Sequence, residues 1–183
     1  MTAIRSAAMA ITPPMLFLSA RGGHGAFRDP VRTFRLATTA DVDRLVELER
    51  DANLIALAHV FPPEQYPYPT EAVRRRWREV LTSPGVTVAV IDRPAGGLAA
   101  FVAFDPTLLR HLAVHPDHWG SGLARQAVAY AVERMDAPRL WCLVENRRAL
   151  GLYEHLGWRP TGRRQRAEFP PYPEEIELAR AGG

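Results

Sequence analysis

Two glycines stand in the run Leu112-Ala113-Val114-His115-Pro116-Asp117-His118-Trp119-Gly120-Ser121-Gly122-Leu123-Ala124-Arg125. An apolar stretch ends at Pro116, a short loop follows, and a helical pattern opens after Gly122. Glycine adopts positive φ without strain and lets a ligand approach bare backbone. The first turn of the helix aims unpaired N–H groups, and the positive end of its dipole, at the same point. Together they make an anion cradle. A dinucleotide fingerprint would need a third glycine three residues after Gly122, where the chain has Arg125, so that chemistry is excluded.

A second constellation lies in Leu140-Trp141-Cys142-Leu143-Val144-Glu145-Asn146-Arg147-Arg148-Ala149-Leu150-Gly151-Leu152-Tyr153-Glu154-His155-Leu156-Gly157-Trp158. Asn146 and Tyr153 are seven residues apart, about 700° of helix, and so share one face two turns apart. Asparagine at a helix start caps it or binds a ligand carbonyl, and tyrosine can point at the same ligand. Cys142 lies mid-strand among apolar neighbours and reads as core, not as a nucleophile. His111, His115 and His118 have no acidic or cysteine partner at matching spacing, so no metal site is expected.

Composition removes further chemistries. All 23 basic residues are arginine. Without lysine there is neither a Walker P-loop nor a Schiff base. A net charge of +3 is too modest for a whole-chain nucleic-acid reader, and no reader module is present. No apolar run approaches the roughly 18 residues of a membrane span. The single cysteine suits a reducing cytoplasm.

The elements that must position these residues follow from periodicity. Residues 1–30, with Pro13-Pro14 breaking the apolar stretch and a glycine-rich segment after it, read as a flexible extension, and residues 31–183 as one domain. Thr33 to Ala37 predicts a short strand, and Thr39 the cap of a helix bearing Val42, Leu45, Val46 and Leu48. Leu54 to Val60 predicts a second short helix, stopped by the prolines after Phe61. A third starts at Thr70, with Val73, Trp77 and Leu81 inside and Arg74, Arg75, Arg76 and Arg78 on its solvent face. Strands are expected over 86–91, 98–104, 109–115 and 140–144, with closing strands over 158–164 and 175–178. Helices are expected over 122–135 and 146–156, the latter stopped by Gly157. The order βαααβββαβαββ is a mixed α/β sheet with helices on its faces.

The loop Trp119-Gly120-Ser121-Gly122-Leu123-Ala124 resembles the pyrophosphate loop of the GNAT N-acetyltransferase superfamily, Gln/Arg-x-x-Gly-x-Gly/Ala. Trp119 departs from it, where the family usually has glutamine or arginine. The second stretch is similar to the family's Asn-x-x-Ala-x-x-x-Tyr-x-x-x-Gly-Phe, with Trp158 for phenylalanine. The resemblance spans about Val31 to Leu178. It implies a mostly antiparallel sheet with one splayed parallel pair, and acetyl transfer from acetyl-CoA to a primary amine in a ternary complex. By the same resemblance, Leu112, Ala113 and Val114 pair with the pantetheine arm, and the Val114 N–H stabilises the oxyanion. Trp119 through Arg125 and Asn146 hold the cofactor, and Tyr153 protonates the departing thiolate. Asp105, His111 and Glu145 stay open as general base. The acceptor, a small-molecule or protein amine, stays open too, and homodimers are common in the family. A catalytically silent acyl-CoA-binding or regulatory domain is the alternative. The loops Phe61 to Tyr68 and Phe169 to Tyr172 are expected to wall the acceptor pocket, with Glu64, Glu168 and Glu174 to attract a cation.

Overall fold

A computed structural model describes residues 33–180. The proposed extension over residues 1–30 lies outside them. The strands are β1 (Arg35–Leu36), β2 (Thr87–Asp92), β3 (Leu98–Phe104), β4 (Leu108–Val114), β5 (Arg139–Leu143), β6 (Trp158–Arg166) and β7 (Glu174–Arg180). The helices are α1 (Val42–Ala56), α2 (Thr70–Thr82), α3 (Leu123–Val132) and α4 (Arg147–His155). Seven strands form one sheet in the order β1-β2-β3-β4-β5-β7-β6. Every pair is antiparallel except β4 with β5.

Every residue of β3, Leu-Ala-Ala-Phe-Val-Ala-Phe, is buried. A continuous apolar strand of that kind needs cover on both faces. Trp77 of α2 packs edge-on against Phe101 at 4.8 Å on one side, and Tyr130 of α3 meets Phe104 at 6.2 Å on the other. The mixed α/β sheet expected from the element order is therefore the fold, with one helix fewer. Of the expected second helix, Leu54 to Ala56 are the last turn of α1, and residues 57–60 form a turn instead. No glycine or proline interrupts Asp51 to Ala56, and Ala52 extends the buried stripe of Leu45 and Leu48. The turn entering α1 also starts one residue early, at Thr38. Its N–H donates to the Asp41 carboxylate at 3.0 Å, and the Asp41 N–H returns to the Thr38 carbonyl at 2.9 Å. Among the described residues no helix is long and apolar enough to cross a membrane.

Candidate acyl-transfer site

The parallel pair positions the site. β4 and β5 are in register at Leu108 with Arg139 and Leu109 with Leu140, and part beyond. On its other side β4 stays paired with β3 as far as Val114 opposite Ala100. The next N–H, that of His115, donates to the Ala99 carbonyl at 2.8 Å. Backbone groups alternate sides in an antiparallel ladder. Ala113 is thus turned toward Phe101, while Leu112 and Val114 turn their N–H and C=O groups into the gap where β5 has left. Of the three residues expected to pair with an extended ligand, two face it and Ala113 does not.

The glycine loop closes the end of this gap. Gly120 and Gly122 have φ of 78° and 85°, the left-handed region that favours glycine. Gly122 is the N-cap of α3, and a Cβ built on it would meet nothing within 4 Å, so the face above the cap is open. The first intrahelical donor is the Gln126 N–H, to the Gly122 carbonyl at 3.0 Å. The N–H groups of Leu123, Ala124 and Arg125 therefore head the helix. Val114, Trp119, Gly120 and Gly122 line one groove with these three, and Arg147 and Arg148 of α4 form its far wall. Ser121 turns its hydroxyl back to the His118 carbonyl at 2.6 Å.

Trp119, the departure from the family pattern, has a local role. Its indole N–H donates to the Val114 carbonyl at 2.7 Å, tying the loop to the end of β4. The Arg148 guanidinium stands 5.2 Å from the Trp119 ring centroid, and burial pushes its pKa down to about 10. The sequence reading missed Arg148, although its place beside Arg147 at the start of a ligand-facing helix was the available signal.

Asn146 and Tyr153 occupy the buried side of α4. The Asn146 Oδ1 accepts from the Ala149 N–H at 3.1 Å, so the asparagine caps the helix. Tyr153 is 2% exposed, packs edge-on to Trp158 at 5.8 Å, and lines neither the groove nor the cavity described below. Burial, with a smaller contribution from Cys142, pushes its phenol well above the usual range. Burial and the Glu175 carboxylate push the Cys142 thiol up as well, which keeps it protonated and inert.

A second cavity, of about 500 Å³, lies where the two proline-aromatic loops meet. Phe61, Tyr66 and Tyr68 come from one loop, Phe169 and Pro170 from the other, and Leu143 from the end of β5. Of the acids expected there only Glu168 lines it. Glu64 is exposed in its loop, and Glu174 pairs with Arg164. Glu49 and Glu175 line the cavity instead. Glu175 is 1% exposed, lies opposite Leu143 in the β5–β7 register, and accepts from the Gln165 amide at 2.8 Å. Its signal was the alternation Glu175, Ile176, Glu177, Leu178, which sets two acids on one face of a closing strand. Glu49 accepts from Arg76 Nη2 on both oxygens, at 2.6 and 2.7 Å, and from the Trp77 indole at 2.8 Å. The expected solvent face of α2 is thus corrected at Arg76, which is 4% exposed. A carboxylate on α1, unseen in a local pattern, draws it in.

The open candidates for a base separate. Asp105 sits at the opposite end of β4, accepting from the Thr107 and Leu108 N–H groups and from Arg110. His111 is buried under Trp77 at 5.1 Å, and Glu145 is exposed in the turn before α4.

Comparison with known proteins agrees with this architecture. Residues 43–158 match the family model described as the acetyltransferase (GNAT) family. Among solved structures, apo-form YjaB from Escherichia coli is 19% identical with a TM-score of 0.66, over 82% of this chain and 98% of that one. Spermidine N-acetyltransferase SpeG from Vibrio cholerae, in a mutant form, is 18% identical with a TM-score of 0.57, over 80% and 91%. The same enzyme in complex with manganese ions gives 18% and 0.55, over 80% and 90%. No curated protein sequence matches. At these identities the structures establish the fold alone, whereas the family model covers more than half of the chain: the protein belongs to the GNAT acetyltransferase family.

Proposed function

We propose that the chain transfers an acetyl group from acetyl-CoA to a primary amine held in the aromatic cavity. The observation that carries this reading is the arrangement around the strand gap. A groove headed by helix N–H groups and arginines borders the end of β4, and a cavity with a buried carboxylate borders the end of β5. Pyrophosphate suits the groove, because the N–H groups of Leu123 to Arg125 and the guanidinium groups of Arg125, Arg147 and Arg148 supply donors and charge. Pantetheine amides suit the gap, where Leu112 offers both backbone groups and leaves the Val114 N–H for the thioester.

Acetyl-CoA supplies a thioester whose carbonyl carbon the amine attacks, forming the C–N bond as the C–S bond breaks and its electron pair stays on sulfur. Val114 donates its N–H to the carbonyl oxygen where negative charge develops. Glu175 takes the proton that the amine must lose, and Tyr153 returns one to sulfur. The phenol's raised pKa keeps Tyr153 protonated before transfer.

Calorimetric titration with CoA and acetyl-CoA, with NADH as the comparison, tests the groove. Micromolar binding of the CoA compounds alone, about −8 kcal/mol, is expected. Thiol release with an amine panel then tests transfer, and Glu175→Gln should lower kcat by about 10²-fold or more at unchanged CoA affinity. Binding without turnover of any amine would leave a silent acyl-CoA-binding domain. No binding would sink the reading.

A further inference from the structure

The cavity holds a buried cation that the transfer reaction does not use. Arg76 carries five N–H donors. Two, on Nη2, go to Glu49. Nε and Nη1 carry the other three, and among the described residues these two buried atoms have no hydrogen-bond partner. Glu168 Oε2 approaches Nη1 only to 3.7 Å, too long for a hydrogen bond, and it comes from an exposed loop. The rings of Trp77 and Phe169 lie 6.0 Å from the guanidinium carbon. Leaving buried guanidinium donors unmet is costly, and Phe169 and Glu168 are the loop groups that stand over them.

Charge and surface narrow the occupant. Arg76 and the Trp77 indole take three of the four lone-pair sites of Glu49 and pair its charge, so it is poorly suited to hold a second ammonium. Glu168 and Glu175 are the other carboxylates of the wall, enough for one amine. The rest of the wall is apolar, with Leu54, Leu57, Phe61, Val73 and Phe169 prominent. A flexible chain of several ammonium groups would lie against that wall and beside Arg76, with too few carboxylates to meet it.

We propose that the acceptor is an amino carboxylate with an apolar or aromatic body, its amine directed to Glu175 and its carboxylate to Nη1 of Arg76, in the position Glu168 now approaches. Glu168 is then a competitor that the substrate carboxylate displaces. The proposal rests on the acetyl-transfer reading for its amine, and on the cavity alone for its carboxylate.

Two matched pairs test it: phenylalanine against phenethylamine, and para-aminomethylbenzoate against benzylamine, with spermidine as the polyamine. Each is titrated into CoA-saturated protein and assayed for thiol release with acetyl-CoA. The carboxylate member of at least one pair should be favoured by about tenfold or more in Kd and in kcat/KM, and spermidine disfavoured. Glu168→Ala should widen that preference about threefold, through KM. The paired change Arg76→Met with Glu49→Leu, which removes the buried charges together, should abolish it. Carboxylate-free amines bound as well as or better than their partners, or spermidine favoured over all, would overturn the proposal, as would binding of none. Unchanged selectivity in Glu168→Ala would overturn its competitor role even if the double variant does not fold. Selective binding of the carboxylate members without thiol release would overturn the transfer reading and leave the cavity assignment standing.

Discussion

At Tyr153 a hydroxyl is separated from solvent by its own helix and by Trp158. Burial raises its pKa, so the phenol stays neutral and protonated across the working pH range. Tyr153→Phe keeps the ring contact and removes the proton, so kcat should fall about 10²-fold while CoA affinity changes less than about twofold. Steady-state kinetics beside calorimetry checks this, and an unchanged kcat would return Tyr153 to a packing role. Its position was legible as one face of a helix shared with Asn146. Its complete burial was not, because that depends on Trp158 and Cys142 folding over it from two other strands.

At the scale of elements, the loop between β4 and α3 is the unit that acts. Gly122 must hold φ near 85° to cap α3, and Trp119 must reach Val114 to fasten the loop. Gly122→Ala meets no clash, but it places an L side chain in left-handed backbone and sets a methyl group over the cradle. The variant should lose about 1–2 kcal/mol of stability in urea denaturation. It should also weaken CoA by about tenfold in calorimetry, since backbone approach is what glycine permits there. Unchanged affinity would mean that the ligand does not contact this cap. The glycine spacing was legible because two glycines and a helix start are local features. The Trp119 bond was not, since it joins residues whose approach the loop itself creates.

For the whole molecule, a charged cluster fastens the first strand and helix to the sheet. Asp41 accepts from Arg35 at 2.8 and 2.9 Å and from Arg44 at 2.9 Å, and both arginines also reach Asp92 on β2. The Arg35 hydrogen bonds hold the Asp41 carboxyl well below the usual aspartate range, against the opposing effect of burial. A depressed folded pKa gives stability that is complete above the unfolded value, near 3.9, and is lost as pH falls toward the folded one. Asp41→Asn should therefore cost about 1–2 kcal/mol at pH 7, discounted for the partly exposed arginines. The gap from wild type should narrow progressively below about pH 4. Urea denaturation at both pH values reads it, and a gap that widens in acid would refute the assignment.

What the sequence determined alone was what repeats or sits close along the chain. The apolar run Leu98 to Phe104 specified a strand, Gly120 and Gly122 a helix-capping cradle, and Asn146 with Tyr153 a common helix face. Tertiary structure decided what depends on distant residues meeting. Arg76 follows a solvent-face pattern on its own helix and turns inward only because Glu49, on another helix, offers both carboxylate oxygens. Glu175 becomes a cavity wall only through its register with Leu143. Side-chain periodicity is a property of one element, whereas the pairing of a buried charge is a property of two, and only the packed chain brings the second one there.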